Sequence, residues 1–537
     1  MKQFPAIFFL LAVTISLTAQ ETKKSLLYQF IADKQVHGIN FLTRNIFQPA
    51  PRKIISGNSV LTKYTTLSLD KQAVSQLFVS KPAGFKLTVP LSPVENIGLV
   101  LVAGPINDAG DFSFGTINNN VETKTSIDQG LHYRGYIDGD SASLACISFF
   151  ENGEVIGVFA NHSGNYIIGK MNGSINSYVV YKSGDMVIQP RYECAAGELE
   201  SALSAFNNET SITPQAFAAP PPVLCKKVRF YWEADYNLYA NNFGSNLTSV
   251  QNYLTGIFNI VATIYQNEGI LIELAKTFVW TTADPYSSVN SGQALAGFRS
   301  RWNNLGNNYN ADLAHLVAGG PANNGGIAYI LNFNQCNRPI TYGYSNVYGT
   351  FQSYPGYSWD AQVITHEIGH NLGSNHTHWC GWNTGAANTC GAIDNCFAVE
   401  TNTTCATCSA TTDIAALPPG FKGTIMSYCY LKNGIGINLV NGFGPMPQAA
   451  IRSNVNLASC YTIRNVWEGT VSTAWDNTGN WSCGILPDGN TDVIINSGLT
   501  NYPVISSTAI CRSINQQAES TVKINTGFKL TITAKIP

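Results

Sequence analysis

The chain has 537 residues, of which 45% are hydrophobic and 12% are charged, and its formal net charge is -2. A chain of this length is expected to fold into about three or four units. The near-neutral charge offers no basic surface to nucleic acid, and no run of charges suggests a helix that lies on a membrane.

The first residues have the pattern of a secretory signal peptide. Lys2 precedes an apolar run at 6–15, and small residues lead up to Gln20. The run is shorter than the roughly 20 apolar residues that a bilayer span needs, and no later segment is long and apolar enough. We therefore expect a signal peptide at residues 1–19 and a secreted, extracellular protein without a membrane span.

Cysteine usage fits an exported protein. Seven of the thirteen cysteines lie at 380–460, and such density indicates disulfide bonds. Cys405 and Cys408 have the spacing of a redox or metal pair, but no second pair of that spacing lies nearby, so a disulfide role is favoured. The odd total leaves at least one cysteine without a partner in the chain.

Residues 20–222 have strand patterns and end in a linker. Apolar runs at 144–150 and 155–159 flank Glu-Asn-Gly, which predicts a β-hairpin. Residues 213–222 are rich in proline and alanine and should be extended and accessible to proteases. Earlier strands are predicted at 85–89 and 98–102.

From Cys225 onward, predicted strands and helices alternate. Ser245 is the predicted N-cap of a long helix that Gly269 ends, and His315 is expected to be packed in a strand rather than to bind a ligand. The alternation predicts a mainly parallel sheet with crossover helices. Strands are predicted at 228–232, 270–279 and 313–317, and a second helix runs through Leu295, Phe298 and Trp302.

Residues 366–376 have the spacing of a catalytic metal site. On a helix, the imidazoles of His366 and His370 lie on one face, one turn apart. Gly373 can adopt a positive φ, so it ends the helix and allows His376 to return as a third ligand. Three neutral nitrogen ligands with an open fourth position are typical of catalytic zinc. Zinc lowers the pKa of water, and Glu367 can take the proton as general base.

The helix that carries this motif has a predicted start and a competing ligand. Ser358 is the predicted N-cap, with Asp360 in the first turn, where the helix dipole favours an acid. His378 competes with His376 for the third ligand position, but it is two residues away from the required spacing. We therefore expect His378 to support a ligand or to lie at the surface.

The motif H-E-x-x-H-x-x-G-x-x-H, together with Gly-Thr-Ile-Met-Ser-Tyr-Cys at 423–429, resembles the metzincin clan of zinc metalloendopeptidases and its reprolysin (ADAM-like) members. The resemblance implies an α/β (α+β) catalytic domain with a mixed, mainly parallel sheet at 223–463 and one catalytic Zn2+. It also implies that Met426 forms a floor beneath the three histidines.

The same resemblance implies a substrate cleft. Gly326, Ile327 and Ala328 would belong to an antiparallel edge strand that aligns extended peptides through main-chain hydrogen bonds, with an ordinary hairpin strand as the alternative. Residues 431–444 would form the wall of the specificity pocket, and their small, neutral side chains indicate an apolar preference. Calcium, found in several relatives, has no clear acidic cluster here.

Two residues depart from the reprolysin pattern. Thr377 follows the third histidine, where reprolysins usually carry an aspartate. Tyr428 matches the tyrosine that serralysins and astacins use as an extra zinc ligand or as a donor to the transition state. A tentative catalytic role for Tyr428 therefore stands beside a packed or rim position.

The resemblance also assigns the flanking regions. Residues 20–222 would be a β-rich propeptide, and Cys194 is a candidate cysteine switch whose thiolate occupies the open zinc position. The residues around Cys194 do not match the usual switch sequence, and a disulfide with Cys146 is the alternative. Residues 464–537 are expected to form a small C-terminal β module, with Cys483 and Cys511 as a candidate pair.

The sequence thus predicts a secreted, zinc-dependent endopeptidase that is made as a latent precursor and acts on proteins or peptides, in an oligomeric state that the sequence leaves open. A catalytically silent binding or adhesion protein on the same scaffold is the first alternative, although such relatives usually lose the acid or a histidine. A zinc hydrolase of a non-peptide acyl bond is the second.

Overall fold

The computed structural model describes residues 24–36, 39–52, 61–174, 176–187, 194, 224–286, 290–320, 325–347, 354–382, 389–400, 409–411 and 420–534. The predicted signal peptide, the proline-rich linker and the Cys405/Cys408 pair lie outside these residues. No helix among the described residues is both long enough and apolar enough to cross a membrane.

The N-terminal region, described within residues 24–194, is built on a ten-stranded sheet. Its strand order is β1-β4-β5-β8-β9-β10-β11-β12-β3-β2. β9 and β10 pair antiparallel, which confirms the predicted hairpin. The elements are α1 (Leu26–Val36), β1 (Thr43–Arg44), β2 (Phe47–Pro49), β3 (Thr65–Leu69), α2 (Lys71–Ser80), β4 (Gly84–Pro90), β5 (Asn96–Ala103), β6 (Ser113–Asn118), β7 (Val121–Lys124), β8 (Leu131–Ile137), β9 (Leu144–Phe149), β10 (Val155–Asn161), β11 (Gly164–Lys170) and β12 (Tyr178–Lys182).

The central region carries the predicted mainly parallel sheet. Its order is β16-β17-β15-β13-β14-β6-β7, and the strands are parallel except for the antiparallel pairs at the two edges, β16–β17 and β6–β7. β6 and β7 come from the N-terminal region, which the sequence did not predict. The elements are β13 (Lys226–Ala234), α3 (Leu247–Asn267), β14 (Leu271–Trp280), α4 (Ser291–Asn304), β15 (Leu313–Ala318), β16 (Ile327–Ala328), β17 (Tyr342–Asn346), α5 (Tyr357–Asn371), β18 (Thr389–Gly391), β19 (Ser409–Thr411) and α6 (Pro445–Leu457).

The C-terminal module, described at 464–534, continues from the central sheet. β20 pairs antiparallel with β13 and parallel with β21. Within the module, β21 pairs with β24, β22 with β25 and β23 with β26, all parallel. The strands β21, β22 and β23 thus form one layer, and β24, β25 and β26 form a second layer that pairs with it. Trp467, Trp475 and Trp481 form its core. The strands are β20 (Thr462–Trp467), β21 (Thr491–Ile495), β22 (Val504–Ile505), β23 (Ala509–Cys511), β24 (Ser513–Gln516), β25 (Lys523–Ile524) and β26 (Leu530–Ile532).

Short helical turns connect the larger elements. A π-helical segment at Leu238–Asn242 precedes α3. The 3-10 turns are Ser183–Asp185, Arg338–Ile340, Cys429–Leu431, Leu439–Asn441 and Thr478–Asn480.

Helix α3 lies between the two large sheets, and its two faces differ in chemistry. Its apolar face packs on the central sheet, where the rings of Phe258 and Trp232 lie 5.1 Å apart. The opposite face meets the N-terminal sheet through polar or small residues, which we call the polar row. Asn259 Oδ1 accepts a hydrogen bond from Arg134 Nε (2.8 Å). The polar row consists of Asn252, Gly256, Asn259, Thr263 and Gln266.

The cysteine pairing differs from the predicted one. Cys225 bonds to Cys483, so the Cys483–Cys511 prediction is wrong. Cys511 is instead a buried thiol in the module core, where its strand β23 turns its side chain inward. A Cys146–Cys194 disulfide is also excluded, because Cys146 is buried between the N-terminal sheet and α3 and lies near Val158 O. The other two pairs whose cysteines are both described are Cys336–Cys460 and Cys396–Cys429.

Both predicted helix caps are wrong by one or two residues. The N-cap of α3 is Asn246, whose side chain accepts from Ser249 N (3.1 Å), while Ser245 has a φ of 61° in the preceding turn. Asparagine caps at least as well as serine, so the adjacent Asn246 takes the position. Helix α5 begins at Tyr357 with Gly356 as its N-cap, so Ser358 lies in the first turn of the helix. The ring of Tyr357 packs against Gly169.

Candidate active site

Helix α5 presents two of the predicted metal ligands, and a turn returns the third. Gly373 has a φ of 92° just after the helix ends, which a residue with a side chain rarely adopts. The chain then folds back so that His376 Nε2 lies 3.1 Å from both His370 Nε2 and His366 Nε2. All three histidines are buried. The structure therefore brings the three predicted ligands together.

The second ring nitrogen of each histidine is held by a hydrogen-bond acceptor. His366 Nδ1 lies 2.8 Å from Ile425 O, and His370 Nδ1 lies 2.7 Å from Ser374 O. A carbonyl can only accept, so each Nδ1 carries the proton and each Nε2 presents a lone pair. Burial also lowers the pKa of His370 to about 3, which keeps it neutral. Converging lone pairs repel one another unless a cation lies between them, so the donor set fits a metal such as zinc.

Glu367 lies beside these nitrogens in an apolar enclosure. It is fully buried, and burial raises its pKa well above the ordinary value. Its Oε1 atom has no hydrogen-bond partner among the described residues. A Cβ atom at Gly326 would lie 2.1 Å from this oxygen, so only glycine allows the backbone to pass there. The carboxylate therefore packs against the main chain at Gly326, just before β16.

Cys194 occupies the fourth position of the cluster. Its Sγ lies 3.5 Å from His370 Nε2 and 3.6 Å from Glu367 Oε2. Cys194 and the three histidines offer four ligand atoms within 4.8 Å of one another. The hydroxyl of Tyr428 donates to the Cys194 carbonyl at 2.8 Å. The N-terminal region thus reaches the centre of the site, and Tyr428 contacts it there.

Met426 lies beneath helix α5, where the resemblance places it. A Cβ atom at Gly369 would lie 2.7 Å from Met426 Sδ, so the helix packs directly on the thioether. The neighbouring Ile425 supplies the carbonyl for His366. Cys429, three residues further, is bonded to Cys396. The segment is therefore fixed both to the helix and to the loop that follows the third histidine.

Glu400 is a site residue that sequence reasoning missed. Its carboxylate accepts from His376 Nδ1 at 2.8 Å, and its Oε1 lies 3.1 Å from His378 Nε2. The rings of His376 and His378 stack, with centroids 4.9 Å apart. Backbone bonds from Glu400 N to His378 O and from Cys380 N to Glu400 O hold it in place. His378 thus supports the third histidine, which was one of its two predicted roles.

The predicted edge strand is present but short. Ile327 and Ala328 form β16, which pairs antiparallel with β17 at the edge of the central sheet, and Gly326 precedes it. His315, in the strand next to β17, is buried, and its Nε2 atom lies 2.9 Å from Ser345 Oγ. It is packed in the sheet and is not part of the histidine cluster.

The N-terminal region also covers the segment that follows Met426. The amide of Asn165 donates to Ile437 O (2.8 Å) and accepts from Leu439 N (2.9 Å), and Asn438 donates to Asn161 O (2.8 Å). These contacts lie in the stretch 431–444, which was predicted to form a pocket wall. Two main-chain groups of this stretch, Ile437 O and Leu439 N, are thus hydrogen-bonded to Asn165 at the start of β11.

Comparisons with known proteins agree with this geometry. Residues 225–434 match the reprolysin model described as Metallo-peptidase family M12, and residues 466–537 match a domain of unknown function (DUF8693). The human disintegrin and metalloproteinase domain-containing protein 9 is 26% identical over 293 residues, which cover 50% of this chain and 33% of the human protein. The chain therefore spans about a third of the length of this relative.

Two solved structures are loosely similar. Metalloproteinase-II from Bacteroides fragilis overlaps with a TM-score of 0.33 and 12% identity, over 57% of this chain and 86% of that protein. A chaperone-substrate complex overlaps with a TM-score of 0.26 and 14% identity, over 43% of this chain and 35% of the other.

The buried cluster of three histidines and a glutamate, on a helix behind a mixed sheet, defines a metalloendopeptidase domain of the metzincin class. Residues 225–434 are similar to the reprolysin members of this class, as the match to Metallo-peptidase family M12 shows.

Proposed function

We propose that the protein is a secreted, zinc-dependent endopeptidase made as a latent precursor, with a signal peptide at 1–19, a propeptide at 20–222, a catalytic domain at 223–463 and the C-terminal module at 464–537. The observation that carries this proposal is the convergence of three histidines beside the buried Glu367, with the Nε2 atom of the third histidine 3.1 Å from the Nε2 atoms of the other two. The disulfides of the described residues support an oxidising, extracellular location.

The catalytic residues act on water and on the peptide bond. His366, His370 and His376 would hold the zinc ion, which would supply Lewis-acid chemistry that makes water reactive near neutral pH. Glu367 would accept the proton of the attacking water on Oε2, the oxygen that faces the fourth position, and return it to the leaving amine. Its raised pKa suits both steps, because the carboxylate is more basic than one in water. Protein or peptide substrates would lie along β16 in an extended conformation.

Latency follows from the position of Cys194. Its thiol lies within 3.6 Å of both Glu367 and His370, in the space that water and a substrate carbonyl would need. A thiolate is also a good zinc ligand, so it would close the fourth position. Tyr428 donates to the Cys194 carbonyl in this state. Once the propeptide leaves, the same hydroxyl is available to a substrate carbonyl.

The first experiment tests the peptidase reaction. Processed protein is incubated with a denatured protein mixture, with and without a chelator, beside a Glu367→Ala variant whose zinc content is measured by mass spectrometry. We expect cleavage that the chelator abolishes, and a loss of about 10^2- to 10^4-fold in the variant at unchanged zinc content. Cleavage that survives the substitution would refute the assigned base. A zinc-loaded, processed wild type that cleaves nothing would favour the binding-protein alternative.

The second experiment tests latency. An uncut Cys194→Ser precursor should cleave a fluorogenic peptide, because a hydroxyl binds zinc far more weakly than a thiolate. Cys146→Ser is the matched control, since Cys146 is another buried thiol of the same region that does not contact the cluster. That control precursor should stay inactive. Equal inactivity of both uncut variants would show that latency does not depend on Cys194.

A further inference from the structure

A segment of the N-terminal region leaves its own sheet and joins the central one. We call residues 106–124 the arm. β6 of the arm pairs parallel with β14, from Lys276 opposite Ser113 to Trp280 opposite Ile117. Leu274 N donates to Ile106 O (2.8 Å). The side chains of Ile106 and Ile117 are buried against the central region.

The start of the arm also contacts the C-terminal module. Asp108 Oδ2 lies 2.9 Å from Arg464 Nε, and its backbone carbonyl accepts from Asn515 Nδ2 at 2.8 Å. Asp111 Oδ2 lies 2.8 Å from Arg512 NH1 and 2.6 Å from Arg229 NH2. The arm is therefore held on one side by the central sheet and on the other by the module.

Asp111 completes the charge balance of a buried cluster. Lys227, Arg229 and Arg512 provide three cations, which contact Glu273 and Asp492 as well as Asp111. Although burial raises the pKa of Asp111, Arg229 and Arg512 lower it below the ordinary value, so the carboxylate is ionised at neutral pH. Without the arm, three cations would face two anions, and an unpaired charge is costly in a buried position.

We propose that the C-terminal module and Arg229 of the central sheet together form a second binding site for the propeptide. This site binds the carboxylates of Asp108 and Asp111. This site is separate from the histidine cluster, since none of its contacts involves a residue of that cluster. It gives the module a function: it retains the propeptide after the linker is cut. The inference rests on the proposed function in that residues 20–222 are a removable propeptide.

The test measures propeptide dissociation from the full chain. A specific protease site is inserted in the linker at 213–222 in a Glu367→Ala background, the linker is cut, and the propeptide is labelled with a fluorophore. Its dissociation rate is followed by dilution and size-exclusion chromatography. We expect co-elution for the reference protein and a dissociation rate about tenfold or more higher for Asp108→Asn/Asp111→Asn.

Matched variants separate this contact from general effects. Asp138→Asn removes an exposed carboxylate that pairs with Lys86 inside the N-terminal region, so its rate should equal that of the reference. Arg464→Gln should raise the rate, and its effect should not add to that of Asp108→Asn, because the two side chains form one contact.

The outcomes are independent of peptidase activity, because the Glu367→Ala background is meant to be inactive and the readout is dissociation. Cys194→Ser in the same background should raise the rate by its own factor, which multiplies with that of the aspartate variants. Separation of the propeptide from the reference protein immediately after cutting would overturn the proposal. Equal rates for the aspartate pair and the reference would do so as well.

Discussion

Each metal-facing histidine is oriented through its second nitrogen, and His376 differs from the other two. His366 and His370 use backbone carbonyls, whereas His376 uses the carboxylate of Glu400. A carboxylate partner increases the basicity of an imidazole ligand and fixes its ring orientation. Glu400 is itself held to the segment of His378 by two backbone hydrogen bonds. It therefore positions the third ligand rather than contacting a substrate.

Replacement of Glu400 by glutamine should weaken metal binding. The amide keeps the shape of the side chain but loses the charge that His376 faces, and such partners typically contribute 10- to 100-fold in metal affinity. The zinc dissociation constant of processed protein is measured by competition with a chromophoric chelator. Glu468→Gln, an exposed glutamate in the C-terminal module, is the control and should bind zinc like the wild type. Equal affinities for the two variants would remove the assigned role from Glu400.

At the scale of single residues, the sequence predicts contacts between residues that are close together in the chain. His366, Glu367 and His370 lie within one helical turn, so the periodicity of the helix alone brings them together. Glu400 comes from a loop 24 residues beyond His376, and no spacing rule connects the two. Cys194 was a candidate only through the resemblance, and only the folded chain shows its thiol beside His370.

Helix α3 is the element whose surroundings the sequence could not indicate. Its apolar spacing predicted the face that packs on the central sheet, and the structure confirms the helix. The opposite face would be expected to meet solvent, yet the polar row contacts the N-terminal sheet. A Cβ atom at Gly256 would lie 2.6 Å from Ile156 Cδ1 and 3.0 Å from its Cβ. Glycine here therefore permits the close approach of β10.

Gly256→Ala should destabilise the precursor. The added methyl group forces β10 away from α3, and overpacking of this kind typically costs about 1–3 kcal/mol. Gly297→Ala in α4 is the matched control, because its Cβ would find its nearest neighbour at 3.5 Å, an ordinary contact. That variant should gain about 0.5–1 kcal/mol from the higher helix propensity of alanine. Denaturant unfolding of both precursors checks the difference, and a stabilised Gly256→Ala protein would contradict this packing account.

On the scale of the whole molecule, the three regions are joined by strands that lie far apart in the sequence. β6 pairs with β14, and β20 pairs with both β13 and β21. Hairpins such as β9–β10 are predictable because the turn sets their register. Parallel pairs have no such turn, so the stacking of β22 with β25 and of β23 with β26 could not be obtained from strand patterns.

The bond between Cys225 and Cys483 should hold the C-terminal module to the central sheet. It closes a loop with a sequence separation of 258 residues, and disulfides typically contribute about 2–4 kcal/mol. A Cys225→Ser/Cys483→Ser variant should therefore release the module to proteolysis at a lower temperature. Cys511→Ala, which removes a buried thiol of the same module without opening a bond, is the control. Equal release temperatures would show that the module is held in place without the disulfide.

If the N-terminal region is removed as proposed, the polar row of α3 becomes part of the protein surface. A helix that had packed on its partner through leucine or phenylalanine would then expose an apolar surface, which favours aggregation. Here water can replace the partner, because amides and hydroxyls are hydrated as readily as they are hydrogen-bonded. Thr263 even bonds the carbonyl of Asn259 within its own helix at 2.7 Å, in a contact that needs no partner. The same residues can thus be buried against the N-terminal sheet or hydrated in water.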